Sequence, residues 1–163
     1  MTEEWQSRVA LVWATASRSS TSELLGRIDE LVEERPDDDA TALFEAASAR
    51  DYIGEEAAAE PLYRRSLALG LDEPLRGRAV IQLASTLRNL GRPDEAITIL
   101  QDGFANDADH RLIGSARAFL ALCLADTGDE RAAIAVALDA LADHLAEYSG
   151  SVRAYAAQLI ALE

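Results

Sequence analysis

The sequence contains no lysine, so all 15 of its basic residues are arginine, and it has one cysteine, Cys123. A single cysteine excludes an intrachain disulfide and a cysteine-based metal cluster. Aromatic residues make up only 6% of the chain. No apolar run approaches the roughly 20 residues that a membrane-spanning helix needs. We therefore expect neither a disulfide-stapled domain nor a membrane protein.

Positive charge is also scarce, because 29 acidic residues outnumber the 15 arginines and give a formal net charge of −14. Affinity for nucleic acid depends on a basic surface that releases counterions from phosphates. We therefore expect no nucleic-acid partner. The first five residues lack the basic start of a signal peptide. Together with the missing membrane span, this predicts a cytoplasmic protein with no membrane partner.

The usual combinations of catalytic residues are missing as well. No nucleophile is paired with a base, no glycine-rich phosphate loop is present, and His110 and His144 differ in their position within the repeat described below. Cys123 shares a repeat position with Ala49 and Thr86, which predicts a small buried side chain rather than a reactive thiol. We therefore expect no catalytic residues, no metal, no cofactor and no enzymatic activity.

The most informative stretch, residues 83–100, predicts a helix, a tight turn and a second helix. Gly91 can adopt the left-handed conformation that ends a helix, and Pro93 suits the first turn of the next one. With 163 residues, of which 49% are hydrophobic, the chain is long enough for a single domain with its own core. Two amphipathic helices are predicted before this stretch, at 2–17 and 22–34.

The same hairpin recurs at an interval of 37 residues. Glycines stand at one position of each copy and alanines at two others: Gly54, Gly91 and Gly128; Ala47, Ala84 and Ala121; Ala59, Ala96 and Ala133. A period of this length built from two helices predicts stacked helix pairs. We predict one domain with repeats at 40–76, 77–113 and 114–150, a degenerate first helix pair at 1–36, and a capping helix at 151–163.

At these repeated positions the chain resembles the tetratricopeptide repeat family. The middle copy carries the pattern on Val80, Leu83, Ala84, Leu87, Ala96, Leu100 and Gly103. The resemblance implies an all-α, right-handed solenoid that binds protein or peptide ligands on its concave face. Arg50, Arg117 and Ala137 depart from the family pattern, and the repeat exceeds the usual length of about 34 residues.

The resemblance also implies which side chains line the concave face. These are Thr41, Phe44, Ser48, Asp51, Tyr52, Arg78, Ile81, Gln82, Ser85, Arg88, Asn89, Ala118 and Leu122. Two interpretations of the arginines stay open. Arg78 and Arg88 could hold a carboxylate or an acidic peptide. Alternatively Asp51, at the same repeat position as Arg88, could pair with it, and we favour this second interpretation.

The last predicted helix has more apolar surface than one neighbour can cover. Its candidate residues are Val152, Tyr155, Leu159 and Leu162. They could serve only to cap the preceding helix pair, or they could form a patch for a second copy of the protein. A homo-oligomeric structural subunit, with a homodimer as its simplest form, is therefore the alternative to a peptide-binding scaffold.

Overall fold

The computed structural model describes residues 3–105, 107 and 109–161. These residues form nine α-helices and one 3-10 turn, with no β-strand among them, and the predicted all-α fold is confirmed. In chain order the elements are α1 (Glu3–Thr15), the 3-10 turn (Ala16–Arg18), α2 (Thr21–Glu33), α3 (Ala40–Tyr52), α4 (Glu56–Ala68), α5 (Leu75–Asn89), α6 (Pro93–Phe104), α7 (Ile113–Asp126), α8 (Glu130–Ala142) and α9 (Ser149–Ile160). None of the described helices is long and apolar enough to cross a lipid bilayer.

The chain divides into two compact units, the first ending at Gln82 and the second beginning at Leu83. In the first unit α1 packs on α2, α2 on α3, and α3 on α4. In the second unit α6 packs on α7, α7 on α8, and α8 on α9. Within each unit these helices thus form a stack, of α1 to α4 in the first and of α6 to α9 in the second, in which each helix contacts the next, as the 37-residue repeat predicts.

The three glycines spaced at 37 residues end helices in the same way. Gly54, Gly91 and Gly128 all have positive φ angles, of 82°, 75° and 84°. At Gly91 the amide donates to the carbonyl of Arg88 at 3.0 Å, and the next amide, of Arg92, donates to Leu87 at 2.9 Å. The turns at Gly54 and Gly128 repeat these two bonds. Such paired bonds satisfy the last carbonyls of a helix, so the predicted role of these glycines as helix terminators is confirmed.

The start of α3 is fixed by an N-cap. The carboxylate of Asp39 accepts hydrogen bonds from the amides of Thr41 and Ala42 at 2.9 and 3.0 Å, and its other oxygen lies 2.5 Å from Arg35 Nη2. Burial opposes ionisation of Asp39. This effect of burial is outweighed by the hydrogen bond from the amide of Ala42, by the bond and charge of Arg35, and by the bond from the amide of Thr41. The pKa of this carboxyl therefore lies below its ordinary value. Caps of this kind contribute about 0.5–2 kcal/mol.

The small residues at repeated positions are buried where helices meet. Ala47, Ala84, Ala59 and Ala96 are fully buried, and Ala121 and Ala133 nearly so. The same period also reaches α1, which sequence analysis treats as degenerate. The series Val12, Ala49, Thr86 and Cys123 is spaced at 37 residues and is buried throughout. Cys123 is therefore the small buried side chain that its position predicts.

Two of the departures from the family pattern are explained by ion pairs. Arg50 on α3 reaches Asp29 on α2, with Nη1 3.0 Å from Oδ1. Arg117 on α7 lies 3.1 Å from Asp139 and 3.6 Å from Asp143, both close to the end of α8. Each arginine stands where the family pattern has an apolar side chain, and it forms an ion pair with an aspartate of a neighbouring helix instead. Because these pairs are partly exposed, each is worth at most about 1 kcal/mol.

Candidate binding groove

The first unit contains two recesses that share lining residues. A polar recess of about 240 Å³ is lined by Trp13, Phe44, Glu45, Ser48, Asp51, Tyr52, Arg78 and Gln82. An apolar recess of about 380 Å³ is lined by Trp5, Gln6, Val9, Ala10, Trp13, Thr41, Glu45, Leu75 and Arg78. Trp13, Glu45 and Arg78 belong to both. We call the two recesses together the first-unit groove; α1, α3 and α5 supply its walls.

Trp13 and Glu45 form the centre of this groove. The indole Nε1 of Trp13 donates a hydrogen bond to Glu45 Oε2 at 2.6 Å, which ties α1 to α3. Glu45 is only 9% exposed. Burial raises the pKa of Glu45, although the bond from Trp13 and the charge of Arg78 act in the opposite direction. The groove therefore contains a carboxyl group for which ionisation is costly.

The floor of the polar recess is held by a buried tyrosine on α4. The hydroxyl of Tyr63 lies 3.3 Å from Asp51 Oδ2, to which it donates, and 3.4 Å from Ser48 Oγ. The ring of Tyr63 packs against Phe44 at a centroid distance of 6.2 Å. Burial and the neighbouring charge of Asp51 raise the pKa of Tyr63 far above its ordinary value, so the phenol stays neutral. The tyrosine thus orients two polar groups of the recess.

The rim of the polar recess is more accessible. Tyr52 is 57% exposed and contacts Trp13 edge to face, with ring centroids 5.9 Å apart. Arg78 is exposed as well. An aromatic pair and a cation therefore stand at the opening, while the carboxyl group of Glu45 lies deeper.

The structure places the predicted concave-face residues in both units. Six of them, Phe44, Ser48, Asp51, Tyr52, Arg78 and Gln82, line the polar recess, and Thr41 lines the apolar one. Ile81 is 8% exposed and lines neither recess. The other five, Ser85, Arg88, Asn89, Ala118 and Leu122, lie in the second unit. The first unit therefore gathers seven of the thirteen predicted residues around one groove.

Within the second unit, Arg88 forms an ion pair with Asp126. Its Nε lies 2.6 Å from Asp126 Oδ2, and its Nη2 donates to Oδ1 at 3.3 Å. Of these two contacts only the one from Nη2 has hydrogen-bond geometry, and together they engage the guanidinium on one carboxylate. Cys123, on the same helix as Asp126, is fully buried, and burial raises the pKa of its thiol. It does not have the exposure or the lowered pKa of a reactive cysteine.

The second unit has a groove of its own between α7, α8 and α9. This C-terminal groove, of about 320 Å³, is lined by Arg117, Leu120, Ala135, Val136, Asp139, Arg153, Ala156, Ala157 and Ile160. Of the predicted self-association residues, Tyr155 is 65% exposed, Val152 and Leu159 are half-buried, and Leu162 lies outside the described residues. Among the described residues of α9, only Ala156 is buried.

Sequence analysis missed Trp13 and Glu45, and the 37-residue period contains a signal for only one of them. Glu45 stands one period before Gln82, a predicted groove residue, whereas Trp13 stands one period before Arg50, which is not one. Trp13 lies on the apolar stripe of the first predicted helix, and this pattern indicates a core position. Extending the period to residue 5 would have brought α1 into the same columns as the later helices.

The groups that line the first-unit groove can bind a ligand through apolar, hydrogen-bonding and charged contacts. In the part of the chain that the structure describes, no three His, Cys, Asp or Glu side chains are grouped to hold a metal ion. The groove instead offers aromatic surface, two carboxylates, a guanidinium, and hydroxyl and amide groups. Such a mixture of apolar walls and few polar groups is typical of ligand sites.

Solved structures of other proteins share the fold. A kinesin light chain protein of Podosopora anserina with nearly identical TPR-like repeats superimposes with a TM-score of 0.73 at 17% identity, covering 97% of this chain and 87% of the other. MamA from Desulfovibrio magneticus RS-1 gives 0.65 at 17% identity, covering 99% and 93%. YrrB, described as a TPR protein with an unusual peptide-binding site, gives 0.56 at 18% identity, covering 93% and 84%.

A search of curated protein sequences gives no significant match. The family model of the tetratrico peptide repeat, however, matches residues 40–159, which include α3 to α8 and most of α9. The match begins at the first residue of α3 and covers well over half of the chain. On this ground, and in agreement with the stacked helix pairs of each unit, the chain belongs to the tetratricopeptide repeat family.

Proposed function

We propose that this chain is a non-catalytic scaffold that binds a protein or peptide in the first-unit groove. Proteins with this fold generally mediate protein–protein interactions, and members of the family are generally non-catalytic. The observation that carries the proposal is the convergence of two recesses on Trp13, Glu45 and Arg78. The peptide-binding site named in the description of YrrB gives further support for a peptide ligand.

The groove suits a peptide that alternates apolar and polar contacts. Its apolar recess is bounded by the core residues Trp5 and Val9 and by the half-buried Leu75, and its polar recess offers carboxylate, hydroxyl and amide groups. Accessible aromatic side chains such as Tyr52 are the usual energetic anchors of an interface. We infer that the protein acts in the cytoplasm, with no nucleic-acid or membrane partner and no cofactor, as its charge and composition predict.

Replacing Tyr52 with alanine should weaken peptide binding about tenfold or more, because the substitution removes an exposed aromatic anchor at the opening. The measurement starts from peptides selected by the immobilised wild-type protein from a random phage-displayed library. The dissociation constants of those peptides are then determined for wild type and variant by fluorescence anisotropy.

The matched control is Tyr148→Ala, which removes an accessible tyrosine just before α9 in the second unit. This variant should bind the selected peptides as wild type does. Failure to select any peptide, or equal weakening by both substitutions, would contradict the assignment of the first-unit groove.

Self-association through α9 is the second candidate function. It is favoured by the exposure of two large apolar side chains of α9, Tyr155 at 65% and Ile160 at 51%. Among the described residues of this helix only Ala156 is buried. If this patch joins two copies, sedimentation velocity should show a concentration-dependent dimer, and Tyr155→Glu should reduce it to a monomer because a charge is costly in an apolar contact. A wild-type protein that remains monomeric at all concentrations argues against this function.

A further inference from the structure

We propose that the polar recess receives a cationic side chain of the partner, an arginine or a lysine. Glu45 and Asp51 would supply the opposite charge, and Trp13 and Tyr52 the aromatic wall. This inference rests on the proposed function and names the chemistry of its ligand. It differs in sign from the acidic peptide that the two arginines, Arg78 and Arg88, could hold.

The charges that line the recess favour a cation. The recess is lined by two carboxylates, of Glu45 and Asp51, and by one guanidinium, of Arg78. Arg78 is exposed, whereas Glu45 is only 9% exposed, so the negative charge lies deeper than the positive one. Arg88, the second candidate anchor for an acidic ligand, belongs to the second unit, where Asp126 engages it at 2.6 Å.

The aromatic residues of the recess point to the same ligand. Trp13 and Tyr52 meet edge to face at 5.9 Å, and the bond from Trp13 Nε1 to Glu45 fixes the orientation of the indole. A cation near the face of a tryptophan or tyrosine ring is attracted by the negative charge of the π system. An arginine can satisfy both demands at once, because its planar guanidinium stacks on rings and bonds carboxylates.

The buried carboxyl group gains most from such a ligand. Burial raises the pKa of Glu45, which means that the ionised form lacks full compensation in the unliganded protein. A guanidinium or ammonium group in the recess would supply that compensation through a charge-assisted hydrogen bond. A carboxylate from an acidic peptide would add a third negative charge beside Glu45 and Asp51.

The charge of the whole chain acts in the same direction. A net charge of −14 attracts basic partners over long distances and repels acidic ones. This long-range term increases the rate of encounter, whereas the recess decides which side chain is bound. The two effects can be separated because an exposed carboxylate outside the recess contributes equally to the net charge but does not contact the bound side chain.

The test uses acetylated peptides with random flanks and one fixed central residue: arginine, lysine, citrulline or glutamate. Citrulline has nearly the shape of arginine but no charge. The wild-type protein should retain arginine peptides about tenfold more than citrulline peptides, the ratio that corresponds to about 1.4 kcal/mol. Glu45→Gln should reduce this ratio to about one. The contribution of the flanking residues to peptide retention should stay unchanged.

The matched control is Glu33→Gln, which changes the net charge equally at an exposed position of α2. It should keep the tenfold ratio. Asp51→Asn is a second variant within the recess and should lower the ratio severalfold. The amide oxygen of the new asparagine can still accept the bond from Tyr63.

Loss of folding is not expected for Glu45→Gln. A carboxyl group whose pKa is higher in the folded than in the unfolded state holds its proton more tightly when folded. Its contribution to stability therefore falls as the pH rises from the ordinary pKa through the raised one. Glutamine carries no charge and avoids this loss. The amide oxygen of the introduced glutamine can accept the bond from Trp13, so the variant should unfold at a temperature no lower than wild type at pH 7.

The outcomes separate the two proposals. Retention of arginine and citrulline peptides in equal amounts, or a preference for glutamate, overturns the cationic ligand but leaves the groove as a peptide site. A tenfold ratio that persists in Glu45→Gln and Asp51→Asn also overturns it. If the wild-type protein retains none of the four peptide sets in larger amounts than the Tyr52→Ala variant does, the proposed function fails and this inference fails with it.

Discussion

Replacing Tyr63 with alanine should lower the free energy of unfolding by about 3–5 kcal/mol, the range for removing a buried aromatic side chain. The side chain is fully buried, packs against Phe44, and carries the hydroxyl that reaches Ser48 and Asp51. Its loss leaves a cavity between α3 and α4 and releases two polar groups of the recess. Urea denaturation followed by far-ultraviolet circular dichroism measures the change.

Tyr63→Phe is the control that separates the ring from the hydroxyl. It keeps the packing but removes the donor to Asp51, so about 1 kcal/mol should be lost, the typical net value of a hydrogen bond. The pKa of Tyr63 is raised far above its ordinary value, so the phenol keeps its proton as the pH rises. The difference in stability between wild type and Tyr63→Phe should therefore come from hydrogen bonding and not from ionisation of the phenol. A cost for Tyr63→Ala no larger than that for Tyr63→Phe would contradict the packing described here.

Replacing Trp5 with alanine should also lower the free energy of unfolding by about 3–5 kcal/mol. Trp5 is 4% exposed and belongs to the core that joins α1 to α2 and α3. Its indole Nε1 donates to the carbonyl of Leu31 at 2.8 Å, in the last turn of α2. Carbonyls in the last turn of a helix have no partner within the helix, so the indole satisfies a group that would otherwise be orphaned.

Trp5→Phe tests the same site with less loss of volume. It should cost less than Trp5→Ala, since an aromatic ring remains to pack in the core, but it still removes the bond to Leu31. Circular dichroism is the appropriate measurement, because the chain has only two tryptophans and the substitution removes one of the fluorophores. Similar costs for the alanine and phenylalanine variants would show that the hydrogen bond, rather than the buried ring, dominates at this position.

The repeat could be predicted from sequence because its signals are local. A glycine at a helix end, a proline at the first residue of the next helix and an alanine at a close contact each act within a few residues of themselves. Gly91 and Pro93 show this, since both adopt the conformations that their residue types favour. The positions of Arg50 and Arg117 were identified as unusual, but their partners on α2 and α8 were not. An ion pair across two helices depends on side-chain reach, which spacing alone does not specify.

The family, the helical class and the 37-residue repeat can be inferred from the residues alone, because they follow from periodic packing and from turn residues that act locally. Which charges meet, in contrast, depends on how the helices pack. This packing brings Trp13 of α1 to Glu45 of α3, 32 residues apart in the chain, and places Arg88 against Asp126. Burial of Glu45 and the engagement of Arg88 are products of packing between helices, and it is these two features that set the charge of the proposed ligand.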